Sequence, residues 1–207
     1  MHARVQIVST LPGPFRDHPE ASRGLIDAIA GQPGFRGIHL LMQIGSRQGL
    51  LLTLWDSLHD AEAAPERTQA ALGPRPFPLA LDEVYKVWES RRGPASLAEA
   101  TVAQLLWFDG PRSAAQAEAA RRAGEERIKP ALQDVPGFAG GYVLGRSQDL
   151  AMVVVQLATS TEALDRVADV VFGTALLPGE DPALLTGPDR VEVYRLDAQS
   201  LTTAPAA

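Results

Sequence analysis

The chain of 207 residues is long enough for one large domain or for two domains of about 100 residues each. Its 45% hydrophobic and 21% charged residues are typical of a folded protein, and its net charge of −6 argues against a nucleic-acid partner. Because the chain contains no cysteine, disulfides, thiolate nucleophiles and Cys-ligated metals are excluded.

Apolar periodicity predicts six elements in the first half of the chain. A strand comes first, followed by a helix that begins near Asp17, a β-hairpin around the turn at Gly45–Gly49, a helix that begins at Ser57, and a closing strand. The predicted strands of this half are Val5–Ser9, Ile38–Met42, Leu50–Trp55 and Glu83–Trp88.

The second half predicts the same six elements in the same order. Its first helix begins at the capping pair Ser113 and Gln116, and its second helix carries a buried stripe that includes Leu164 and Val167. The predicted strands of this half are Thr101–Phe108, Gly140–Leu144, Ala151–Ala158 and Val191–Leu196.

Composition places the domain boundaries. The segment Arg91–Ser96 contains glycine and proline and is typical of a linker. We therefore predict a first unit at residues 1–92 and a second unit at residues 97–198. Residues 199–207 are predicted to form a flexible tail.

A turn motif indicates that the two halves are copies of one unit. The run Pro33–Phe35 recurs as Pro136–Phe138, an offset of 103 residues (136 − 33), and the same offset aligns the strands that end at Trp55 and Ala158. The middle glycine of each run is expected to have a positive φ in a turn that ends a helix. The order of elements in each half is that of the ferredoxin-like βαββαβ unit.

Two predicted strands, Leu50–Trp55 and Ala151–Ala158, are apolar at successive positions rather than at alternate ones. A strand with one face in water would alternate, so both faces of these strands are expected to be covered. The most economical cover is the sheet of the other half. The predicted fold class is therefore α+β, with two tandem ferredoxin-like units forming an intramolecular pseudo-dimeric α+β barrel, so that the chain can be monomeric.

Two segments of the first half resemble the antibiotic-biosynthesis monooxygenase family of the dimeric α+β-barrel superfamily. They are Pro33–Gly37, before the hairpin, and Trp55–Ala63, where a strand passes into a helix. The second half keeps the Pro-Gly-Phe turn but has Ala158 where the tryptophan would fall. The resemblance implies cofactor-independent oxygenation of aromatic or quinol-like substrates in some members, haem degradation in others, and no known activity in many.

Signatures of cofactors and metals are missing from the sequence. Neither Gly-x-Gly-x-x-Gly nor a Walker-type motif occurs, and the four histidines include no closely spaced pair. For haem degradation the resemblance implies an asparagine and a histidine-bearing helix, but the chain contains no asparagine. We therefore expect no cofactor and no metal ion.

His39 is the candidate catalytic residue. It lies within the predicted strand Ile38–Met42 and corresponds to Tyr142 at the offset of 103. It is either a hydrogen-bonded core residue or a cavity residue that accepts a proton or, once protonated, stabilises an oxyanion near pH 7. Trp55 is likewise either a core residue or a pocket wall whose unpaired indole N–H donates to a ligand.

Polar and aromatic residues on the strands complete the candidate site. Gln6 and Thr53 interrupt apolar strands, and each is either hydrogen-bonded within the core or orients a polar ligand. Arg36 is a candidate to stabilise a substrate anion, and Tyr85 is a candidate aromatic wall. We expect any functional pocket between the sheet and the helices of the first half. The candidate ligand-binding residues are Trp55, Arg36, Tyr85, Thr53, Gln6 and Tyr142.

Two functions of different classes remain open. The first is a cofactor-independent, monooxygenase-like enzyme that acts on a small hydrophobic or aromatic metabolite. The second is a non-catalytic barrel that binds a small apolar ligand or a partner protein. Since the sequence has no signal-peptide-like start and no run of about 18 apolar residues, we expect a cytoplasmic protein without a membrane partner. An open cavity of roughly 300 Å³ or more, with convergent polar groups, would favour the enzyme.

Overall fold

The computed structural model of the chain describes residues 1–74, 77–110 and 112–202. The chain divides into two compact units. Unit 1 contains Met1–Val87 and the C-terminal segment from Tyr194, and unit 2 contains Trp88–Val193. The division differs from the predicted boundaries at residues 92 and 97 because it falls within two long strands rather than in a linker.

Unit 1 is an antiparallel sheet with two helices. Its strands follow one another in the hydrogen-bonded order β4, β1, β3, β2, β8. The strands are β1 (His2–Val8), β2 (Phe35–Gln43), β3 (Gly49–Trp55), β4 (Leu79–Arg92) and β8 (Arg190–Leu201). The helices are α1 (Pro19–Ala30) and α2 (Leu58–Leu72), and a 3₁₀ turn at Phe15–Asp17 precedes α1.

Unit 2 has strands in the hydrogen-bonded order β8, β5, β7, β6, β4. Its own strands are β5 (Val102–Phe108), β6 (Phe138–Gly145) and β7 (Met152–Ala158). Its helices are α3 (Ala114–Arg122), a π-helix (Ala123–Ile128), α4 (Lys129–Leu132) and α5 (Thr161–Gly173), and a 3₁₀ turn lies at Leu97–Glu99.

Strands β4 and β8 differ most from the sequence prediction. The strand predicted at Glu83–Trp88 extends over Leu79–Arg92, so it includes the start of the predicted linker. Residues 199–201, predicted as tail, continue β8, where Gln199 is the cross-strand neighbour of His39. Pairing with a buried strand thus overrides the weak strand propensity of these residues. The rest of the predicted tail, residues 203–207, lies outside the described residues.

The two Pro-Gly-Phe turns have the backbone geometry that the sequence predicts. Gly34 has φ +74° and Gly137 has φ +83°. A Cβ at Gly34 would collide with the carboxylate of Asp60. The backbone N–H of Asp60 donates to Ser57 Oγ at the start of α2 (3.1 Å). The turn therefore requires glycine both for its φ and for its contact with the capped end of α2.

Strand β3 in the sheet of unit 1 is buried on both faces, as its unbroken apolar run predicts. Every residue of β3 is buried. On the face that meets the helices, Ile38, Leu40 and Met42 of β2 pack in one cluster with Trp55 and Ile29. Since successive side chains of a strand point to opposite faces, His39 lies on the other face.

Two buried clusters join the helices of unit 2 to its strands. Phe138 at the start of β6 contacts Leu132, Val135 and Val167 in a buried cluster. A second cluster surrounds Ala158, the residue that replaces the tryptophan of the first half. No helix in the described part of the chain is long and apolar enough to span a membrane.

Candidate functional site

Unit 1 contains a cavity of about 600 Å³ between its sheet and its two helices. This is within the range of roughly 300–1,000 Å³ that is usual for small-molecule sites. It lies in the half of the chain, and on the side of the sheet, where the sequence predicts a pocket. The walls are mainly apolar, and prominent lining residues are Leu11, Phe15, Leu25, Ile29, Leu51 and Phe77.

Small side chains on the helices leave this space open. Helix α1 lines the cavity with Ala21 and Ser22, and α2 lines it with Ala64 and Thr68. Protein interiors are otherwise packed about as densely as organic crystals. A void of this size beside well-packed strands is therefore typical of a ligand site rather than of a structural core.

The floor of the cavity carries a polar row on β1. Arg4 Nε donates a hydrogen bond to Asp82 Oδ1 (2.6 Å), and Arg4 Nη1 donates to the carbonyl oxygen of Ala61 (2.9 Å). Gln6 Nε2 donates to the same Asp82 oxygen (3.1 Å). Among the described residues, neither Arg4 Nη2 nor Gln6 Oε1 has a hydrogen-bond partner. One cationic donor and one acceptor are therefore held in place beside the cavity and remain available to a ligand.

Trp55 forms part of the wall but does not offer a free donor. Its side chain is fully buried, and its indole Nε1 donates to Thr53 Oγ1 at 2.9 Å. Its ring meets Phe35 edge-on, with centroids 5.9 Å apart. The expectation of an unpaired indole N–H is therefore corrected, because an indole has one N–H and Thr53 already accepts it.

His39 does not line the cavity. It is fully buried on the opposite face of β2 and hydrogen-bonds to the side chain of Gln199. Burial lowers the pKa of His39 from 6.5 to about 4, and the hydrogen bond to Gln199 offsets only part of this shift. His39 is thus neutral at pH 7, so it is unsuited to stabilising an oxyanion as an imidazolium at that pH.

The other predicted residues lie elsewhere. Arg36 is partly exposed and forms a two-point ion pair with Asp56 (2.6 and 2.8 Å), and this hydrogen-bonded pair raises the pKa of Arg36. Tyr85 pairs with Ala3, on the face opposite the cavity. Tyr142 belongs to unit 2, where burial raises its pKa to about 12. The cavity thus brings together Gln6, Thr53 and Trp55, but not His39 or the three residues above.

Two lining residues with ionisable side chains, Arg4 and His18, are absent from the candidate residues that the sequence predicts. Arg4 precedes Gln6 by two positions in β1, and this spacing on one strand face was a usable signal. His18 is an exposed residue next to the start of α1, and its spacing gives no sign that the β1–α1 loop borders a cavity. Of the lining residues that the structure describes, His18 is the only one with an imidazole side chain.

A metal centre is not indicated by the side chains. Within residues 1–74, 77–110 and 112–202, no group of three or more His, Cys, Asp or Glu side chains is placed to hold a metal ion.

Comparisons with known proteins give matches in structure but not in sequence. No protein-family model and no curated protein matches the chain. A candidate monooxygenase from Fusobacterium nucleatum matches 97% of this chain and 94% of its own, with a TM-score of 0.67 and 7% identity. An anthrone oxidase-like protein matches 97% of this chain and 93% of its own, with a TM-score of 0.58 and 16% identity. The chain has the dimeric α+β-barrel fold.

This dimeric α+β-barrel fold also occurs in proteins of other kinds. A major regulator of staphylococcal pathogenesis matches 96% of this chain and 99% of its own, with a TM-score of 0.54 and 9% identity. At these identities the likeness establishes the fold, and the function has to be argued from the site.

Proposed function

We propose that the chain is a cofactor-independent, monooxygenase-like enzyme that oxidises a small hydrophobic or aromatic metabolite in the cavity of unit 1. The observation that carries the proposal is the apolar cavity of about 600 Å³ with Arg4 fixed in its floor. The cavity also exceeds the roughly 300 Å³ that a ligand site needs. Two of the structural neighbours are named as a candidate monooxygenase and as anthrone oxidase-like, which agrees with this activity.

The chemistry requires a substrate that forms a stabilised carbanion. A ring CH₂ group that is conjugated with an aromatic carbonyl group loses a proton. The resulting enolate or phenolate transfers an electron to O₂. A C–O bond then forms, and protonation gives a hydroperoxide that loses water. The balance is R₂CH₂ + O₂ → R₂C=O + H₂O, so no external reductant is needed.

Three features of the cavity support these steps. The guanidinium of Arg4 stabilises the anion, because a fixed charge in an apolar site acts more strongly than one in water. His18 accepts the substrate proton. Its imidazole lies beside Gly13, since a Cβ built on Gly13 would be 3.4 Å from His18 Nε2. The apolar walls bind the ring system and limit access of water.

The proposal is tested with anthrone as the probe, by following O₂ uptake and quinone absorbance against an enzyme-free control. Ala21 lines the cavity and is exposed on α1, so Ala21→Trp fills the cavity without a buried clash and should abolish turnover. Ala70→Trp, on the exposed side of α2, is the matched control and should keep it. Equal rates in the two variants, or no rate above the control with the wild-type chain, would refute the proposal.

A second candidate is a non-catalytic protein that binds a small apolar ligand. It is favoured by the pairing of polar groups around the cavity, since Trp55 Nε1 in the wall donates to Thr53 and Arg4 Nε in the floor donates to Asp82. Calorimetry separates the two candidates. Binding of the probe that Ala21→Trp blocks, together with no O₂ uptake, would favour the binding protein.

We also propose that the two units are copies of one ferredoxin-like unit and that the predicted pseudo-dimeric barrel is complete within one cytoplasmic chain. The matching turns at Gly34 and Gly137 support the duplication, since both have positive φ and both precede a hairpin. Sedimentation should then give a monomer of 22.1 kDa at low concentration. An obligate dimer would refute this part of the proposal.

A further inference from the structure

Unit 2 contains a second pocket, which the proposed reaction does not use. It has a volume of about 460 Å³ and lies between the end of β4, helix α4 and the start of β6. Arg91, Arg92 and Lys129 provide three cationic side chains, while Leu132 and Phe138 provide an apolar surface. The pocket therefore combines positive charge with an apolar contact.

The charge of this pocket is opposite to that of the chain. One carboxylate, Glu89, contacts two of the three cations: Arg91 Nη2 is 2.8 Å from Glu89 Oε2, and Lys129 Nζ is 3.4 Å from Glu89 Oε1. The three cations and this carboxylate leave two positive charges, on a chain whose net charge is −6. Such a local excess attracts anions.

Arg91 is buried, and its ion pair with Glu89 leaves one of its N–H donors without a partner among the described residues. Its side chain is 9% exposed, and its Nε has no hydrogen-bond partner among the described residues. A buried N–H without a partner is costly, so the retained donor indicates that a ligand or water completes it. Guanidinium groups are also the side chains best suited to carboxylate and phosphate.

A glycine in the π-helix, Gly124, makes room for this guanidinium. A Cβ at Gly124 would lie 3.0 Å from Arg91 Nη2, closer than side chains normally pack. π-helical turns are rare and frequently occur at functional sites. Gly124, within this π-helical turn, therefore leaves space for a buried arginine that borders the pocket.

We propose that the pocket of unit 2 is a binding site for a small organic oxyanion, a carboxylate or a phosphate group attached to an apolar body. Arg91 and Lys129, both oriented by Glu89, bind the oxyanion with Arg92. Phe138 contacts the apolar body. The site is independent of the cavity of unit 1 and of the proposed oxygenation.

The test is calorimetric titration of the purified chain with benzoate and with phenyl phosphate at low ionic strength. Saturable binding of either probe, weakened by added salt, is expected, and the tighter probe identifies the head group. Arg92→Gln and Lys129→Gln should each weaken binding by about fivefold, as expected for loss of one partly exposed ion pair. Both residues are largely exposed, so both variants should fold. Arg91→Gln should weaken binding by about tenfold or more, since Arg91 is the desolvated partner.

Arg23→Gln is the matched control, because it removes the same charge from an exposed position on α1 in unit 1. It should leave both affinities unchanged. The proposal is overturned if neither probe saturates, if Arg92→Gln and Lys129→Gln bind as tightly as the wild-type chain, or if Arg23→Gln weakens binding equally. The last result would mean that the overall charge, rather than this pocket, attracts the anion.

Discussion

Acidification from about pH 7.5 to about pH 4 should destabilise the chain through His39. This side chain is fully buried on the face of β2 opposite the cavity, and burial lowers its pKa from 6.5 to about 4. In the unfolded chain the imidazole is in water, and its pKa returns to the ordinary value near 6.5. Between these two values, the unfolded state binds a proton that the folded state does not.

The sign and size of the effect follow from this difference. Because the unfolded state binds more protons in this window, the free energy of unfolding falls as the pH falls from 6.5 to about 4. A shift of this size corresponds to about 3 kcal/mol at about 1.4 kcal/mol per pK unit. Since domains are stable by about 5–15 kcal/mol, one residue would remove a large part of the stability.

Urea unfolding at several pH values measures this contribution. His39→Gln keeps a hydrogen-bonding tip and should lower the free energy of unfolding near pH 7 by about 1–3 kcal/mol. Its free energy of unfolding should depend less on pH than that of the wild-type chain, with the two converging toward about pH 4. His59→Gln, at an exposed position on α2, is the control and should parallel the wild-type chain. If His39→Gln also parallels the wild-type chain, burial of His39 does not have the assigned effect.

Four further substitutions test other contacts and backbone positions by urea unfolding. Glu180→Gln weakens a buried ion pair with Arg127 (3.0 Å; side chains 3% and 9% exposed) and should cost about 3–5 kcal/mol, whereas a loss below about 1 kcal/mol would mean that the pair is solvated. Thr53→Val removes the acceptor of the Trp55 indole and should cost about 1–3 kcal/mol; an unchanged stability would show that water replaces it. Gly34→Ala should destabilise the chain by about 1–3 kcal/mol, because Gly34 has a φ of +74°. Gly24→Ala, within α1, should stabilise it by up to about 1 kcal/mol. If both substitutions change the stability in the same direction, the turn geometry is contradicted.

Most elements and both Pro-Gly-Phe turns could be predicted from the sequence, but the face of His39 could not. Strand β2 is apolar on both faces, so a period of two residues does not tell which face a polar residue occupies. Strand β1 is different, because Arg4 and Gln6 alternate with Ala3 and Val5, and the pattern places both polar residues on one face. The cavity itself depends on how the helices sit on the sheet, which local spacing does not encode.

The C-terminal part of β8 was missed for another reason. Residues 199–201 include a glutamine and a serine, which local propensity assigns to a tail. Their strand conformation comes from pairing with β2, more than 150 residues earlier in the chain. Long-range pairing of this kind is stabilised by tertiary contacts and leaves little trace in composition.

The position of Trp55 gives the cavity an optical signal of its own. The chain has three tryptophans: Trp55 in the cavity wall, Trp107 in unit 2 and Trp88, which is 41% exposed. Replacing Trp88 and Trp107 by phenylalanine leaves Trp55 as the one tryptophan, and its indole N–H donates to Thr53. Its fluorescence therefore reports the occupancy of the space beside it, and an aromatic guest can be followed by quenching or energy transfer without a label.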